Sequence, residues 1–464
     1  MVSRHFSLVL VLTLLLPIFI PAQVSSVHSS AVSTHLTGNN ALTYDYIIGP
    51  NTVSSQSYFN SSILIIGTIF VTNLLNFTQC DVSFLRNNTF YSSGIRLNNN
   101  STLILTNSIF HINSYSIVLN NDRFPLIQGF FNTTISVRNS IFYSNSTFNN
   151  VYFYLDKGQS LYLEKSFFYN STKLVLSSIT TNVNIHNCHF FSPASDVLTI
   201  DKSNNFYFSN NYISEDKNPL ENLFNITATQ NTYISSNIFI FNSDSVIEFP
   251  TQDYIFICSN IPVLNIFNNT FRSFQMLFLL TGSSSINVTQ NNFSYFSIAF
   301  SLLNFSNSFF KQNNFMNGST ILYLDRMNFK FQLNCTFNNF YSIDSIINIG
   351  LQNQENVTHF LYFSYNHYSD FNPIKSENSG ISKFPYKSEY FTDYHPLIYS
   401  FENYEILDNE IVLKSNGYYN QSLSEQNFSL IGNQLLIIIL FYGSLLIIPL
   451  FVLLIYKRPP KKID

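Results

Sequence analysis

A phenylalanine that lies three residues after an asparagine or glutamine recurs along the chain, and this repeat restricts the possible folds more than any other feature. We call this phenylalanine position the anchor. The clear anchors are Phe110, Phe142, Phe190, Phe271, Phe293, Phe315 and Phe337, and the looser ones are Phe70, Phe90, Phe168, Ile213, Phe239 and Tyr368. Consecutive anchors such as Phe293 and Phe315 are 22 residues apart. A fixed period of this length is typical of stacked structural repeats.

Two further pairs of apolar positions keep a constant distance from the anchor. One pair lies seven and five positions before it, as Val183 and Ile185 do, and the other lies fifteen and thirteen positions before it, as Phe278 and Leu280 do. Apolar residues at every second position predict a short strand at each place. Because the anchor lies on a third strand, each repeat is predicted to contain three strands.

Three short strands in one repeat describe one coil of a parallel β-helix. A single coil cannot bury its own apolar face, whereas about 13 coils stacked about 4.8 Å apart can. The pattern over about residues 60 to 370 resembles the right-handed β-helix repeats of the pectin-lyase fold. The resemblance implies an all-β fold, a right-handed parallel β-helix of about 13 coils, and it implies no particular activity.

Polar residues two positions before the anchor form another column. Its members are Ser108, Ser140, Ser166, Cys188, Asn211, Asn237, Asn269, Asn291, Asn313 and Cys335. We expect this column at the bend between the second and third strands, where stacked amides hydrogen-bond from coil to coil. The preceding residues Asn107, Asn139 and Asn187 suit the left-handed backbone conformation of a tight bend.

The two ends of the chain carry membrane-targeting features. Residues 1–26 have a short basic start and an apolar run, which predicts a cleaved signal peptide. Residues 434–456 are apolar and uncharged, which predicts one transmembrane α-helix, and the basic tail at 457–464 is expected in the cytosol. We therefore expect a single-pass type I protein of the plasma membrane. Lys461 and Lys462 resemble a dilysine retrieval signal, so the endoplasmic reticulum is the alternative location.

Two segments flank the repeats. Residues 27–59 are small and polar and are expected to form an N-terminal cap on the ectodomain at 60–370. Residues 371–433 are richer in proline and charge, which predicts a C-terminal cap and a stalk. The bias toward asparagine, phenylalanine, isoleucine and tyrosine is typical of an AT-rich genome, such as that of a protist.

Asparagine sequons predict that the ectodomain is N-glycosylated, and each occupied site must face solvent. The candidates are Asn60, Asn76, Asn87, Asn132, Asn145, Asn170, Asn225, Asn268, Asn287, Asn292, Asn304, Asn317, Asn334, Asn356, Asn420 and Asn427.

The four cysteines are too far apart in a stacked coil model to pair. Cys80, Cys188, Cys258 and Cys335 fall in different coils, about 10 Å or more from one another. The last three occupy inward positions. We therefore expect buried free thiols with no catalytic or metal-binding role.

The composition offers little chemistry. A net charge of −4 and sparse basic residues argue against nucleic-acid binding. Asp156 and Asp201 each follow a first strand, two coils apart, and are the weak candidates for an inverting carboxylate pair; a capping role at a solvated turn is the simpler interpretation. His186 and His189 flank Cys188 but point to different faces, so no metal site and no cofactor are expected.

These observations favour a non-enzymatic membrane glycoprotein whose β-helical ectodomain recognises glycans or cell-surface proteins, or mediates adhesion. The first alternative is a membrane-tethered polysaccharide lyase or glycoside hydrolase, since the resembling fold is common among such enzymes. The second is a resident of the endoplasmic reticulum.

Overall fold

The computed structural model of the protein is built almost entirely from short strands. It describes residues 44–86, 93–114, 126–144, 150–155, 158–169, 172–176, 182–191, 198–215, 223–241, 254–325, 331–350, 360–371, 380–407 and 410–414. Within these residues the regular helical structure includes the 3₁₀ turn Phe401–Asn403. No helix in this described part is both long and apolar enough to cross a bilayer. The predicted signal peptide, transmembrane helix and cytosolic tail, with Lys461 and Lys462, lie outside the described residues.

The chain divides into two compact units. Unit 1 comprises Met1–Thr232 and Ile240–Ile257, and unit 2 comprises Tyr233–Phe239 and Cys258–Asp464. The strands of unit 1 are β1 (Tyr46–Ile48), β2 (Asn51–Phe59), β3 (Ser62–Ile66), β4 (Thr68–Thr78), β5 (Asp81–Arg86), β6 (Gly94–Leu97), β7 (Thr102–Thr106), β8 (Ile109–Ser114), β9 (Ile127–Gly129), β10 (Thr134–Arg138), β11 (Ile141–Ser144), β12 (Asn150–Leu155), β13 (Ser160–Glu164), β14 (Phe167–Tyr169), β15 (Thr172–Leu176), β16 (Asn182–His186), β17 (His189–Phe191), β18 (Leu198–Asp201), β19 (Asn205–Ser209), β20 (Tyr212–Glu215) and β21 (Phe224–Thr227).

Three strands have residues in both units, namely β22 (Asn231–Ser235), β23 (Ile238–Phe241) and β24 (Tyr254–Ser259). The strands of unit 2 are β25 (Val263–Phe267), β26 (Thr270–Thr281), β27 (Ser285–Thr289), β28 (Asn292–Leu303), β29 (Asn307–Lys311), β30 (Asn314–Asp325), β31 (Gln332–Thr336), β32 (Asn339–Ile349), β33 (Leu361–Ser364), β34 (His367–Tyr368), β35 (Tyr386–Lys387), β36 (Thr392–Asp393), β37 (Tyr404–Leu407) and β38 (Glu410–Leu413).

In unit 1, each strand pairs in parallel with the equivalent strand of the next coil. First strands form the ladder β6–β9–β12–β15–β18–β21, second strands form β7–β10–β13–β16–β19, and third strands form β3–β5–β8–β11–β14–β17–β20. This is the arrangement of a parallel β-solenoid, as predicted. β1 and β2 already belong to these ladders, since β1 pairs with β3 and β2 pairs with β4.

Unit 2 repeats this arrangement with longer strands. Second strands form the ladder β25–β27–β29–β31–β33, while β26, β28, β30 and β32 each run through a third strand and the following first strand. Among the described residues the ladders account for at least nine turns of solenoid. That the solenoid contains about 13 coils and is right-handed stays a prediction.

The core consists of the inward columns that the repeat predicts. Leu105, Phe110, Ile185 and Phe190 of unit 1 are all at most 1% exposed. Successive anchors stack ring on ring, with centroids 4.9 Å apart between Phe110 and Phe142. In unit 2 the distances are 5.2 Å between Phe271 and Phe293 and 4.8 Å between Phe293 and Phe315. These distances match offset stacking of aromatic rings, so a ring repeated in one column stabilises these interfaces between coils.

The bend column carries the predicted amide ladder. In unit 2 the Asn269 Nδ2 group donates to Asn291 Oδ1 at 2.9 Å, and Asn291 Nδ2 donates to Asn313 Oδ1 at 3.0 Å. In unit 1 the serines fill the same role, since the backbone N–H of Ser140 donates to Ser166 Oγ at 3.2 Å. The residues just before the column have left-handed backbones, with φ of 50° at Asn107. Both parts of the bend prediction are confirmed at these residues.

The repeat assignment is wrong in the coil that contains Phe337. The strand partner of anchor Phe315 is Phe340, not Phe337, because β30 ends at Asp325 and β31 begins only at Gln332. In the preceding coil, β28 ends at Leu303 and β29 begins at Asn307. The longer connection moves the anchor by three residues.

This shift also removes Cys335 from the amide ladder. Its place is taken by Asn338, whose Oδ1 accepts from Asn313 Nδ2 at 2.9 Å. Cys335 instead lies inward on β31, opposite Phe310.

Two of the loose anchors, Phe70 and Phe90, are not found on the third strands of the described residues. Phe70 is not an anchor, since it lies on β4 opposite Thr52 and is 42% exposed. The third-strand residues before Phe110 are the smaller Val82 and Ile63, which pair in register with it. Phe90 lies outside the described residues.

Candidate functional site

The predicted carboxylate pair stays a prediction, because only one of its two members is described. Asp156 lies outside them. Asp201 ends β18 with a side chain 39% exposed, and its Oδ2 lies 4.0 Å from Lys202 Nζ. Its partner on the next coil is Thr227, as the predicted register requires. A half-exposed carboxylate beside one cation is a solvated ion pair.

The histidines around Cys188 do not converge on one point. His186 Nδ1 lies 2.9 Å from Ser209 Oγ, whereas the ring of His189 stacks against Phe167 at 4.8 Å. Burial lowers the pKa of His189, so this ring is neutral at neutral pH. Within the described part of the chain, no cluster of three histidine, cysteine or acidic residues could hold a metal ion.

The strongest candidate for a binding site is a row of outward residues on the second strands of unit 1. Tyr162 on β13 lies opposite Asn184 on β16, which in turn lies opposite Tyr207 on β19. Tyr162 is 42% exposed and Tyr207 is 40% exposed. Since a coil rises about 4.8 Å, the two tyrosines are separated by about 10 Å along the solenoid. We call these three residues the first triplet.

A polar row lies on each side of the first triplet. On one side, Asn205 Nδ2 donates to Asn182 Oδ1 at 2.9 Å, and Asn231 Nδ2 donates to Asn205 Oδ1 at 3.1 Å. These amides use each other as partners, so their side chains are held in place on the surface. The result is a fixed strip of amides beside the two tyrosines.

The other flanking row is charged but compensated. Arg138 Nε lies 3.1 Å from Glu164 Oε2, and Lys165 Nζ lies 3.6 Å from Glu164 Oε1. Both basic groups are therefore attracted to the same carboxylate, which lowers their capacity to hold an anionic ligand. His186, next in this row, is hydrogen-bonded to Ser209. The surface around the triplet is polar without a strong field of either sign.

The triplet combines the two contacts that carbohydrate recognition needs. The exposed parts of the Tyr162 and Tyr207 rings can pack against the C–H faces of sugar rings. The amide of Asn184 between them can donate to and accept from sugar hydroxyls. A separation of about 10 Å is close to the length of one disaccharide in an extended chain, so both rings can engage the same polymer.

A second aromatic row in unit 1 differs in packing. His111, Tyr143, Tyr169 and Phe191 lie on consecutive third strands, and their rings stack directly on one another. Tyr143 and Tyr169 have centroids 4.9 Å apart. Burial raises the pKa of both phenols, which keeps them protonated. Because the ring faces are used within the stack, this row stabilises the solenoid and offers less to a ligand.

Sequence reasoning overlooked the first triplet although its signal was present. Each member lies six positions before an anchor, between two inward residues of a predicted strand. The repeat identified the inward columns and the bend column. It did not single out the position where large aromatic residues alternate with asparagine, because exposed positions carry no packing requirement that fixes their residue type.

The sequons fall into three groups. Asn60, Asn132, Asn268, Asn304 and Asn317 are exposed, and all have positive φ. The half-buried group, placed within strands, comprises Asn76, Asn225, Asn287, Asn292 and Asn334. Outside the described residues lie Asn87, Asn145, Asn170, Asn356, Asn420 and Asn427. Solvent access, the condition for glycosylation, is met by the first group.

Comparison with known proteins adds little to this geometry. No family model matches the chain, and no curated protein matches it. Among solved structures, the crystal structure of a periplasmic alginate epimerase is similar at 11% sequence identity, covering 68% of this chain and 78% of that chain with a TM-score of 0.31. A likeness at this level carries no argument about activity, so function has to be argued from the site.

Proposed function

We propose that the protein is a non-enzymatic recognition protein that binds extended glycan chains through the first triplet. The observation that carries the proposal is the pair Tyr162 and Tyr207, exposed to 42% and 40% on strands two coils apart. Rigid aromatic side chains on a paired sheet lose little conformational entropy when they bind.

The glycan in this proposal is neutral. The two cations of the charged flanking row, Arg138 and Lys165, both contact Glu164. An acidic polysaccharide would have to compete with this carboxylate for them. A neutral chain needs only the ring faces and amide groups that the surface presents.

Binding of oligosaccharides to the purified full-length protein tests the proposal. β-1,4-linked di-, tri-, tetra- and hexasaccharides of glucose, mannose, xylose and N-acetylglucosamine are titrated calorimetrically. We expect a marked gain in affinity between disaccharide and tetrasaccharide for at least one series, because only the longer chains reach both rings. No binding of any series would overturn the proposal.

Variants locate the binding on the triplet. Tyr162→Ala and Tyr207→Ala should each weaken binding about tenfold, which corresponds to about 1.4 kcal/mol. Tyr207→Phe keeps the ring and should bind within about twofold of the natural protein. The matched control is Tyr394→Ala, since Tyr394 is 69% exposed and lies far along the chain from the triplet. Equal losses in all variants would show that the triplet is not the site.

The cellular setting is proposed on sequence grounds. We propose a type I membrane glycoprotein with a cleaved signal at 1–26, a spanning helix at 434–456 and an ectodomain of about 13 right-handed coils. The apolar run, the basic tail and the rule that parallel crossovers are right-handed support this. Replacing Lys461 and Lys462 by Ser separates the two locations. A shift to the cell surface would favour the endoplasmic reticulum for the natural protein, and unchanged surface labelling would favour the plasma membrane.

A further inference from the structure

Unit 2 contains a second row with the same alternation as the first triplet. Phe309 on β29 lies opposite Asn334 on β31, and Asn334 lies opposite Tyr362 on β33. Phe309 is 43% exposed and Tyr362 is 53% exposed. The three residues occupy the central outward position of second strands, as Tyr162, Asn184 and Tyr207 do. We call them the second triplet.

We propose that the second triplet is an independent binding site for the same class of ligand, an extended glycan chain recognised by its ring faces. The inference rests on the proposed function of the first triplet. Its own support is the repeated geometry, with two large rings about 10 Å apart on either side of an amide. Both rings stay about half exposed on a regular strand face, so part of each ring is open to a ligand.

The amide of Asn334 supplies a second, independent observation. Its Nδ2 atom is buried and has no hydrogen-bond partner, whereas its Oδ1 accepts from Gln332 Nε2 at 3.5 Å. A buried donor without a partner costs free energy in the unliganded protein. If the Asn334 side chain turns toward a bound sugar, a hydroxyl of the ligand can accept from Nδ2 and remove this cost. The other unit 2 amides in this row are already used, since Asn287 Nδ2 donates to Asn265 Oδ1 at 2.9 Å.

Recognition at this site is by stacking, not by charge. Lys311 is two residues from Phe309 on the same strand face, and its register partners Thr289 and Thr336 are neutral. One cation at the edge of the row contributes little in water at physiological ionic strength, because exposed charges are screened. Binding should therefore change little between low and high salt, unlike the binding of an acidic polymer.

The site also requires that Asn334 stays unmodified. Asn334-Cys335-Thr336 is a sequon, but an attached glycan would occupy the space between Phe309 and Tyr362. Burial of Nδ2 and of Cys335 within the strand argues against modification here. Mass spectrometry of the peptide that contains Asn334 should find the unmodified residue.

The number of binding sites per chain tests the inference. The purified full-length protein is titrated with the tetrasaccharide that the first triplet binds best, at low and at high salt. We expect two molecules bound per chain, reduced to one by Phe309→Ala with Tyr362→Ala and also to one by Tyr162→Ala with Tyr207→Ala. Combining all four substitutions should abolish binding. Phe309→Trp keeps an aromatic ring at this position and should retain the second site. A loss seen with alanine but not with tryptophan would be due to the missing ring and not to substitution at this position as such.

The outcomes separate this inference from the proposed function. One site per chain that is lost only with Tyr162 and Tyr207 would overturn the second triplet and leave the first intact. One site lost only with Phe309 and Tyr362 would overturn the first triplet as the ligand site. Two sites whose affinity collapses at high salt would overturn recognition by stacking, and occupancy of Asn334 by a glycan would overturn the second site.

Discussion

Asp393 ends the amide ladder of unit 2 by accepting both amide donors of Asn366. The backbone N–H of Asn366 donates to Asp393 Oδ2 at 3.0 Å and its Nδ2 donates to the same oxygen at 3.1 Å. Tyr368 donates its hydroxyl to this oxygen, and the backbone N–H of His395 donates to Oδ1. Each of the asparagines from Asn269 onward donates a hydrogen bond from its Nδ2 group to the side-chain oxygen on the next coil. Asp393, at the end of the ladder, accepts hydrogen bonds at both of its side-chain oxygens. A carboxylate therefore suits this position better than an amide, which would present a donor.

The first prediction follows from the direction of these hydrogen bonds, which run from Asn366 to Asp393. Asp393→Asn places an NH₂ group where one carboxylate oxygen accepts, so one donor loses its partner and faces another donor. Hydrogen bonds to a charged group contribute about 1.5–3 kcal/mol. We expect the free energy of unfolding of the full-length protein, measured in urea, to fall by about 2 kcal/mol. The control is Asp344→Asn, which changes an exposed carboxylate of β32 and should alter stability little. A similar effect of both substitutions would contradict a terminating role for Asp393.

A second prediction concerns the interior of the ladder. Asn291 Nδ2 donates to the carbonyls of Ile266 and Thr289 and to Asn313, and its Oδ1 accepts from Asn269. Asn291→Leu leaves several of these buried groups without partners, each at a cost of about 1–3 kcal/mol. We expect a loss of several kcal/mol in stability, measured by denaturant unfolding.

The neighbouring Asn292 provides the control for this change. It belongs to a half-exposed ladder, in which Asn314 Nδ2 donates to its Oδ1 at 2.9 Å. Water can replace that partner, so Asn292→Leu should cost less than about 1.5 kcal/mol. If the two leucine variants unfolded at the same denaturant concentration, the buried ladder would not be a major source of stability.

The fold was predictable because the inward positions repeat with little tolerance. Phe110 stacks on Phe142 and Phe293 stacks on Phe315, so close packing between coils constrains both residue type and spacing. The error at Phe337 has a physical origin. A connection between strands can lengthen without disturbing the core, and the Asn-x-x-Phe pattern at Asn334 imitates the anchor motif that actually lies around Phe340.

The binding surface could be predicted only in outline. Outward residues such as Tyr162 and Phe309 are fixed by no packing requirement inside the coil. Whether they form a binding surface depends on which residues lie beside them on neighbouring coils. Those neighbours are known only when the register of the strands is known. Once β29, β31 and β33 are aligned, the alternation at Phe309, Asn334 and Tyr362 becomes visible. The alignment that used Phe337 as the anchor hid it.

A third prediction concerns the cysteines, which are buried and unpaired as expected. Burial raises the pKa of the Cys188 thiol to about 12 and raises that of Cys258 above its ordinary value. The unfolded chain therefore loses these protons at a lower pH than the folded protein. The stabilisation is complete below the ordinary thiol pKa and is lost as pH rises above it, by up to about 1.4 kcal/mol per pH unit and thiol.

Urea unfolding at several pH values between about 8 and 10, with reductant present, measures this slope. Cys188→Ser is the matched variant, because serine fills the same bend position at Ser166 and accepts a backbone hydrogen bond there. We expect the variant to fold and to show a shallower loss of stability with rising pH. Rapid labelling of all four native thiols by iodoacetamide at neutral pH would contradict their burial.

The last prediction concerns which sequons carry glycans when the protein is made in a secretory system. Asn60, Asn132, Asn268, Asn304 and Asn317 lie exposed at left-handed positions, so an attached sugar would extend into solvent.

In contrast, the half-buried Asn287 and Asn292 lie within strands. Asn287 Nδ2 donates to Asn265 Oδ1, so a sugar on that nitrogen would replace one of its two hydrogens at a half-buried position beside the neighbouring coil. A sugar on Asn292 would have to pass the amide of Asn314, which donates to the Asn292 oxygen. Enzymatic deglycosylation in heavy-oxygen water, followed by peptide mass spectrometry, reports the occupancy of each site. We expect high occupancy at the five exposed asparagines and low occupancy at the two in strands. High occupancy at Asn287 with low occupancy at Asn304 would show that solvent access in the folded coil does not govern modification, because the sugar is attached before the coil forms and the coil then has to accommodate it.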